Sequence, residues 1–209
     1  MSAVLGSSTV SAGLSIVFVA GGTQAGGLEF FSSPWAYKDI LPNIFENEIT
    51  SGEIAGWNVV SESYVYQGGS DSSPTLVTIT PGSGYWAVFP SVGEHLLYLG
   101  TPASTTVPTV VNLYPGWNAI GDPYTSTVYI STLTFGSKQS TFSAATSGSG
   151  ALISPTLYYF RQGVGGTTGT YIAASSGTAL TPGKGYWIYA FAQTTVTFPL
   201  PAPAASERL

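Results

Sequence analysis

Two short motifs each occur twice in this chain of 209 residues, in the same order. Gly56-Trp57-Asn58 returns as Gly116-Trp117-Asn118, and Pro81-Gly82-Ser83-Gly84-Tyr85-Trp86 returns as Pro182-Gly183-Lys184-Gly185-Tyr186-Trp187. A tyrosine-rich stretch lies between the motifs in both copies, at 64–66 and at 157–160. Three matches in one order indicate an internal duplication, which predicts two structurally related units.

The two copies differ in spacing. Trp57 and Trp86 are 29 positions apart, whereas Trp117 and Trp187 are 70 apart, so the second copy carries about 41 extra residues. Most of this insertion is expected between Gly121 and Pro155. The pattern divides the chain into a first unit of residues 1–104, a larger second unit of residues 105–198, and a Pro/Ala-rich C-terminal arm of residues 199–209.

Most of the remaining chain alternates β-branched or aromatic residues with small polar ones, which is typical of strands. The predicted strands are 14–20, 75–80, 95–99, 106–114, 127–135 and 194–198. Short strands separated by Pro-Gly and Gly-Gly turns predict an all-β fold of two tandem related β-sandwich or barrel units, jelly-roll-like, with little helix. Residues 35–47 show a partial helical period, which Pro42 limits to one or two short turns.

Each motif has a physical interpretation. Glycine before Trp-Asn permits a tight turn into a strand, and the asparagine can bond to nearby backbone. Pro-Gly-x-Gly predicts a type II turn with glycine at positive φ, and the following Tyr and Trp point to opposite faces of a strand, so at least one should be buried. Repetition favours a structural role for these residues in the core over a sugar-stacking platform. The structural motif residues are Gly56, Trp57, Asn58, Gly82, Gly84, Tyr85, Trp86, Gly116, Trp117, Asn118, Gly183, Gly185, Tyr186 and Trp187.

Residues 110–198 resemble a β module that recurs in bacterial extracellular and cell-surface proteins. In that module a Gly-Trp-Asn strand, a variable insert, a Tyr-rich strand and a Pro-Gly-Lys-Gly-Tyr-Trp strand follow one another. Residues 50–100 match more loosely, with Ser83 in place of the lysine and no Asn/Asp-Pro after Gly-Trp-Asn, and residues 1–49 lie outside the match. The resemblance implies a β-sandwich accessory module and implies no reaction.

Charge is scarce. Only 7% of the residues are charged, against roughly 25% in an average soluble domain, and a surface rich in Ser and Thr is typical of proteins outside the cell. No basic residue precedes Lys38, so no signal peptide is predicted, and the apolar run 14–20 is too short to span a bilayer. The predicted location is a virion or the extracellular or cell surface. The Met1-Ser2-Ala3 start favours the virion over a processed fragment.

Catalytic chemistry is not predicted. There is no cysteine and one histidine, His95, which excludes thiol nucleophiles and the usual zinc and copper sites. No carboxylate lies between 123 and 206, so a carboxylate pair would have to come from the first half. We therefore predict no enzyme activity, no catalytic residue, no metal and no cofactor. Five basic residues and a net charge of −5 argue against nucleic-acid binding.

The few charges are unevenly distributed. Residues 1–122 carry a net charge of −8 and residues 123–209 carry +3. The halves could attract each other within one chain or between subunits, and Lys138, Arg161 and Lys184 are the candidate contacts with an acidic neighbour. The alternative is a simple scatter of few charges. The Pro-rich arm predicts a polyproline-like spacer, or a segment that lies across a neighbouring subunit.

The leading hypothesis is a non-enzymatic structural protein of a virus particle, such as a minor capsid, decoration or spike protein. It would act through contacts with itself or with other capsid proteins. One alternative is a secreted carbohydrate-binding or adhesive surface module that binds a glycan through exposed aromatics such as Trp35, Tyr64, Tyr129 or Tyr158. A further alternative is a subunit of an S-layer or a filament.

Overall fold

The structure is a computed structural model that describes residues 17–18, 27–37, 54–67, 78–89, 94–95, 100–163 and 169–201. Nearly all regular structure in these residues is β, with one 3-10 turn, Ile130–Thr132, and one single-turn helix, α1, Phe142–Ala145. The strands are β1 Val17–Phe18, β2 Gly27–Ser32, β3 Trp35–Ala36, β4 Ile54–Asn58, β5 Ser63–Gln67, β6 Gly84–Phe89, β7 Glu94–His95, β8 Thr101–Pro102, β9 Thr109–Leu113, β10 Gly116–Gly121, β11 Val128–Tyr129, β12 Thr134–Phe135, β13 Ser140–Thr141, β14 Leu157–Gln162, β15 Gly169–Ala174, β16 Ala179–Leu180, β17 Gly185–Ala190 and β18 Thr194–Phe198. The expected all-β, sandwich-like fold with little helix is confirmed.

Three antiparallel sheets of four strands organise the described residues. Sheet 1 has the order β2-β6-β4-β5, sheet 2 the order β10-β17-β14-β15, and sheet 3 the order β13-β12-β18-β9. Two-stranded pairs β1-β7, β3-β8 and β11-β16 complete the pattern. The strands of sheet 1 all precede residue 105, and those of sheets 2 and 3 all follow it.

Sheets 2 and 3 enclose the largest apolar core of the described residues. Alternate residues of a strand face the same side, so one face of sheet 2 contributes Ile120, Leu157, Tyr186 and Ile188 to this core, opposite Leu113, Phe135, Val196 and Phe198 of sheet 3. All eight side chains are at most 1% exposed. Close packing in this core fixes sheet 2 on the face that it turns toward sheet 3.

The opposite face of sheet 2 packs on sheet 1. Phe30, Ala55 and Trp86 of sheet 1 form a buried cluster with Trp187 of sheet 2. Because sheet 2 is covered on both faces, both members of its Tyr-Trp pair can be buried, whereas the sequence predicted burial of at least one. Tyr186 and Trp187 are both buried, and so are Tyr85 and Trp86 in sheet 1.

Sheets 1 and 2 are related by an approximate two-fold symmetry. Phe31 pairs with Tyr85 in sheet 1 as Ile120 pairs with Tyr186 in sheet 2, and the rest of β2–β6 and β10–β17 keep the same register. The hairpin β4–β5 in sheet 1 takes the place of the hairpin β14–β15 in sheet 2. Each Pro-Gly turn also bonds to the other unit, since Gly121 N donates to Gly82 O and Ser32 N donates to Gly183 O, both at 3.0 Å.

This symmetry corrects the alignment of the two Gly-Trp-Asn segments. The second one opens β10, and its structural counterpart is the start of β2, whereas Gly56-Trp57-Asn58 ends β4. Ser33-Pro34-Trp35 in turn corresponds to Asp122-Pro123-Tyr124, because Ser33 Oγ accepts from Trp35 N at 3.0 Å and Asp122 Oδ1 accepts from Tyr124 N at 2.9 Å.

The size of the insertion changes with the alignment. Gly27 and Trp86 are 59 positions apart and Gly116 and Trp187 are 71 apart, so the second unit is longer by 12 residues rather than by about 41. The described part of the first unit therefore includes residues 27–37, which the motif match left out.

Three other local predictions can be compared with the structure. Residues 194–198 form β18 as predicted, but 127–135 is divided by the 3-10 turn, in which Leu133 N donates to Ile130 O. The predicted helical turns at 35–47 begin instead with β3, which pairs with β8, and residues 38–47 lie outside the described residues. Strand pairing supplies backbone partners that a short, Pro-interrupted helix would lack. Within the described ranges, no helix has the length and apolar character to cross a bilayer.

Candidate functional site: an aromatic cleft between sheets 1 and 2

A cleft of about 410 Å³ opens between sheets 1 and 2. All the described residues that line it are aromatic: Trp57, Tyr64, Trp117, Tyr158, Tyr171 and Trp187. Tyr171 is 51% exposed and Trp117 41% exposed, whereas Trp187 is buried. We call this site the aromatic cleft.

Sheet 1 forms one wall. Trp57, near the end of β4, stands edge-on against Trp187, with ring centroids 5.6 Å apart at 89°. Tyr64 follows in the paired strand β5 and packs against Trp57 at 5.0 Å. The β4–β5 turn is fixed by Asn58, whose Oδ1 accepts from Val60 N and Ser61 N.

Sheet 2 forms the other wall. Trp117 leans edge-on against Tyr158 at 5.8 Å and against Tyr189 at 5.2 Å. Gly116, at φ +105°, makes the turn that presents Trp117, which is the role that the sequence predicts for this glycine. Asn118 fixes the same turn, because its amide bonds to Tyr114 N, Tyr114 O and Gly116 O at 2.7–2.9 Å.

One hydrogen bond joins the two walls. The indole Nε1 of Trp57 donates to the backbone oxygen of Trp117 at 2.7 Å. Both Trp residues of the Gly-Trp-Asn segments therefore meet at the cleft, although their strands occupy different positions in the two sheets. The expectation that the motif aromatics lie in the core holds for Trp86 and Trp187 and fails for Trp117, which is substantially exposed.

Among the residues that the structure describes, the symmetry-related positions do not form a second cleft of the same kind. The positions that correspond to Trp117 and Tyr158 are Leu28 and Ala55. Phe160 takes the place of Trp57 and packs edge-on against Trp86 at 5.0 Å. The aromatic cleft thus arises from the difference between two similar sheets.

No residue of a charged type is among the described residues that line the cleft. Burial raises the pKa of Tyr64 above its usual value, and the neighbouring Tyr171 raises it further, so its hydroxyl stays protonated. The Trp86 indole lies near this hydroxyl and acts in the opposite direction on the Tyr64 pKa, but outside regular hydrogen-bond geometry. Trp86 Nε1 is therefore a buried donor without a hydrogen-bond partner among the described residues.

Two described carboxyl groups have raised pKa values, and neither lines the cleft. Burial raises the pKa of Asp122 to about 7, although its oxygens accept from Tyr124 N and Val128 N. Burial likewise raises the pKa of Glu29 to about 7, against an opposing effect of Lys184. Among the residues that the structure describes, no three His, Cys, Asp or Glu side chains are close enough to hold a metal ion.

The glycines of the second motif have two roles. Gly82 and Gly183 adopt φ values of +88° and +84°, and Ser83 N and Lys184 N close the turns on Thr80 O and Thr181 O, which confirms the predicted type II turns. Gly84 and Gly185 lie against the Phe30 ring, where an added Cβ would approach that ring to 3.0 and 2.8 Å. Gly56 lies inside β4 rather than in a turn before a strand.

The three candidate basic contacts lie on separate elements. Lys138 is exposed between β12 and β13, Arg161 is exposed on β14, and the ammonium of Lys184 lies 4.6 Å from the centre of the Tyr159 ring. Lys184 and Glu29 belong to opposite halves of the chain, and the positive charge of Lys184 acts to lower the Glu29 pKa, against the larger effect of burial.

The residues considered for glycan stacking have different fates. Tyr64 and Tyr158 line the cleft, and Tyr129 is 53% exposed on β11. Trp35 is buried at 7% exposure, in β3 against β8, so that expectation is wrong. Tyr171 was not among the residues predicted from the sequence. It faces the cleft because β15 pairs with β14, and the signal for it is the lone aromatic in Gly169-Thr170-Tyr171-Ile172.

Comparison of the chain with protein-family models, with curated proteins and with solved structures found no match.

Proposed function

We propose that this protein is a non-enzymatic structural protein of a virus particle, such as a minor capsid, decoration or spike protein, and that it acts through protein–protein contacts. The observation that carries this proposal is the aromatic cleft: a solvent-open concavity whose described lining is three tryptophans and three tyrosines.

This lining has the composition of a protein interface rather than of a reaction site. Interface cores are depleted in charged residues, and the residues that contribute most binding energy are enriched in Trp and Tyr. Edge-to-face packing holds Trp57 against Trp187, and Trp117 against Tyr158 and Tyr189, before any partner binds, so little side-chain entropy is lost on binding. The best-fitting partner is therefore an apolar or aromatic protein segment.

Composition and architecture support the placement on a particle. A chain with only 7% charged residues has little charge repulsion between neighbouring copies. Two units that share a buried Phe-Trp cluster and exchange backbone hydrogen bonds make a stiff building block. Exposed apolar residues outside the cleft, including Val107, Val110 and Phe191, add further contact surface.

The test is co-purification with particles from the organism that produces the protein. We expect it to sediment with intact particles and to cross-link to a particle protein, and Trp117→Ala and Tyr171→Ala to weaken that association. Tyr129→Ala is the matched control, because Tyr129 is as exposed as Tyr171 but lies outside the cleft. Absence from particles would contradict the proposal, and micrographs of regular sheets or fibres would indicate an S-layer or filament subunit instead.

A carbohydrate-binding surface module is the second candidate. The exposed rings of Trp117 and Tyr171 favour it, because sugar rings can stack on such faces, and the tyrosine hydroxyls can hydrogen-bond sugar hydroxyls. A glycan array separates the two candidates. Saturable glycan binding that Tyr171→Ala abolishes and Tyr129→Ala preserves would favour this second function, and an array without signal would remove it.

A further inference from the structure

We propose that the aromatic cleft binds the Pro-rich arm that begins at Pro199, supplied by a second copy of the same chain. The inference rests on the proposed structural function and names its partner. The arm reads Pro199-Leu200-Pro201-Ala202-Pro203, with proline at every second position.

The arm has the chemistry that an aromatic groove recognises. A Pro-rich segment favours the extended polyproline II conformation before it binds, so it loses little conformational entropy, and its apolar rings pack on aromatic faces. Its backbone carbonyls have no internal hydrogen bonds and require donors. Leu200, at 39% exposure, adds an apolar side chain without a buried position.

The cleft supplies matching groups. Three tryptophans and three tyrosines provide ring faces, and the hydroxyls of Tyr64, Tyr158 and Tyr171 can donate to the carbonyls of the arm. Its volume of about 410 Å³ is in the usual range for a specific binding site, roughly 300–1,000 Å³. No charge on either side has to lose its water, because the described lining is aromatic and the segment from Pro199 to Pro203 is uncharged.

The topology favours an arm from another copy. The arm continues from β18 in sheet 3, whereas Trp117, Tyr158 and Trp187 lie on the face of sheet 2 that points away from sheet 3. The described start of the arm, through Pro201, does not line its own cleft. An arm from a second copy reaches the cleft without passing around the edge of sheet 2. Reciprocal exchange would give a closed dimer, and one-way exchange would give a chain of subunits.

The experiment uses full-length protein and analytical ultracentrifugation over a range of concentrations. An arm variant carries Pro199→Ser, Pro201→Ser and Pro203→Ser, and a cleft variant carries Tyr171→Ala. We expect the wild type to self-associate, and each variant alone to associate at least about tenfold more weakly. Tyr129→Ala, the exposed tyrosine outside the cleft, should associate like the wild type. Circular dichroism confirms that each variant is folded.

Mixing supplies the decisive comparison. The cleft variant has an intact arm and the arm variant has an intact cleft, so a mixture should form a one-to-one complex more tightly than either variant associates with itself. A wild type that stays monomeric up to millimolar concentration overturns the inference, and so does self-association that neither variant weakens. An arm held in its own cleft would show as a monomer whose tryptophan fluorescence changes in the arm variant, which also overturns it. If the protein nonetheless sediments with particles, the proposed function stands while this inference fails.

Discussion

Sheets 1 and 2 share strand order, register and turn geometry, yet they differ at the positions that meet on their symmetry axis. Phe30 of sheet 1 corresponds to Ala119 of sheet 2, and the Phe30 ring stacks between Trp86 at 4.7 Å and Trp187 at 5.0 Å. Ser32 corresponds to Gly121, where a Cβ would come within 2.1 Å of the Ser32 Cβ. At each point one half has the larger side chain and the other the smaller.

This difference shows how a duplicated unit becomes a single asymmetric molecule. Two identical halves would place two rings or two Cβ atoms in the space of one, since protein interiors are close-packed. Once the two halves differ at the symmetry axis, they can also differ at positions away from it. There Trp117 and Tyr158 replace Leu28 and Ala55 and create the aromatic cleft on one side.

The largest expected effect on stability comes from the Phe30 ring, which stacks between Trp86 of sheet 1 and Trp187 of sheet 2. Phe30→Ala removes a side chain that is 2% exposed and stacked between two indoles, so we expect it to lower the free energy of unfolding by about 3–5 kcal/mol. Guanidinium denaturation followed by tryptophan fluorescence measures this. If the halves are equivalent, adding Ala119→Phe to that variant should recover more than about 1 kcal/mol. No recovery would contradict the symmetry at the axis. Phe191→Ala, at 54% exposure, is the control.

The two asparagines of the repeated Gly-Trp-Asn segments give the next comparison. Asn118 is buried and bonds to three backbone atoms, so Asn118→Ala should cost about 2–3 kcal/mol because it leaves buried groups unpaired. Asn58 is exposed and caps a surface turn, so Asn58→Ala should cost about 0.5–1 kcal/mol. Equal losses in thermal denaturation would mean that the segments are structurally equivalent after all.

The close approach of Gly121 to Ser32 gives a second test of the packing at the symmetry axis. A Cβ at position 121 would also lie 3.1 Å from Lys184 O, so Gly121→Ala should destabilise the protein by about 1–3 kcal/mol. Adding Ser32→Gly removes the opposing Cβ and should recover part of the loss in urea denaturation, but not all of it, because the hydrogen bond from Ser32 Oγ to Lys184 O is lost as well. Gly177→Ala should be nearly neutral, because a Cβ at position 177 would have no atom within 4 Å. A Gly121→Ala variant as stable as the wild type would refute this close packing.

The smallest effect concerns pH. In the symmetry, Glu29 corresponds to Asn118 of the second unit. The pKa of Glu29 is raised from 4.5 to about 7, and the pKa of Asp122 is raised from 3.8 to about 7. A carboxyl with a higher pKa in the folded state binds more protons there, so this stabilisation is present at low pH and is lost as the pH rises through about 7. We expect Tm to be higher at pH 5 than at pH 8, by roughly 3–6 °C.

Glu29→Gln separates the two carboxyls. Its neutral amide cannot ionise, so the variant should show a smaller fall in Tm between pH 5 and pH 8, with the residual slope due to Asp122. Scanning calorimetry at both pH values measures this. A Tm that rises with pH in both proteins would contradict the raised pKa values.

The local sequence predicted those parts of the fold that depend on residues close together in the chain. Pro81-Gly82 and Pro182-Gly183 predicted type II turns, because proline presets one dihedral and glycine accepts positive φ, and both turns form. The alternation in 194–198 predicted β18 in the same way. The helical period at 35–47 misled because Trp35 and Tyr37 pair with Pro102 and Ile79, partners more than 40 residues away in sequence.

The candidate site was only partly predictable. The sequence singled out Trp57, Trp117 and Trp187, but as structural residues in unrelated positions. Their meeting depends on the hydrogen bond from Trp57 Nε1 to Trp117 O across 60 positions of sequence. Identity of the Gly-Trp-Asn letters also suggested equivalent strands. The structural equivalence runs through Ser33-Pro34-Trp35 and Asp122-Pro123-Tyr124, where only the proline is shared.

The sequence by itself determined an all-β chain with duplicated Pro-Gly-x-Gly-Tyr-Trp strands, because dihedral preferences and side-chain alternation act over a few residues. The tertiary structure alone decided which strands are equivalent, which aromatics are buried and where a cleft opens. Those outcomes depend on how two sheets share limited space, with Phe30 against Ala119 and Ser32 against Gly121, and such packing joins residues far apart in the chain.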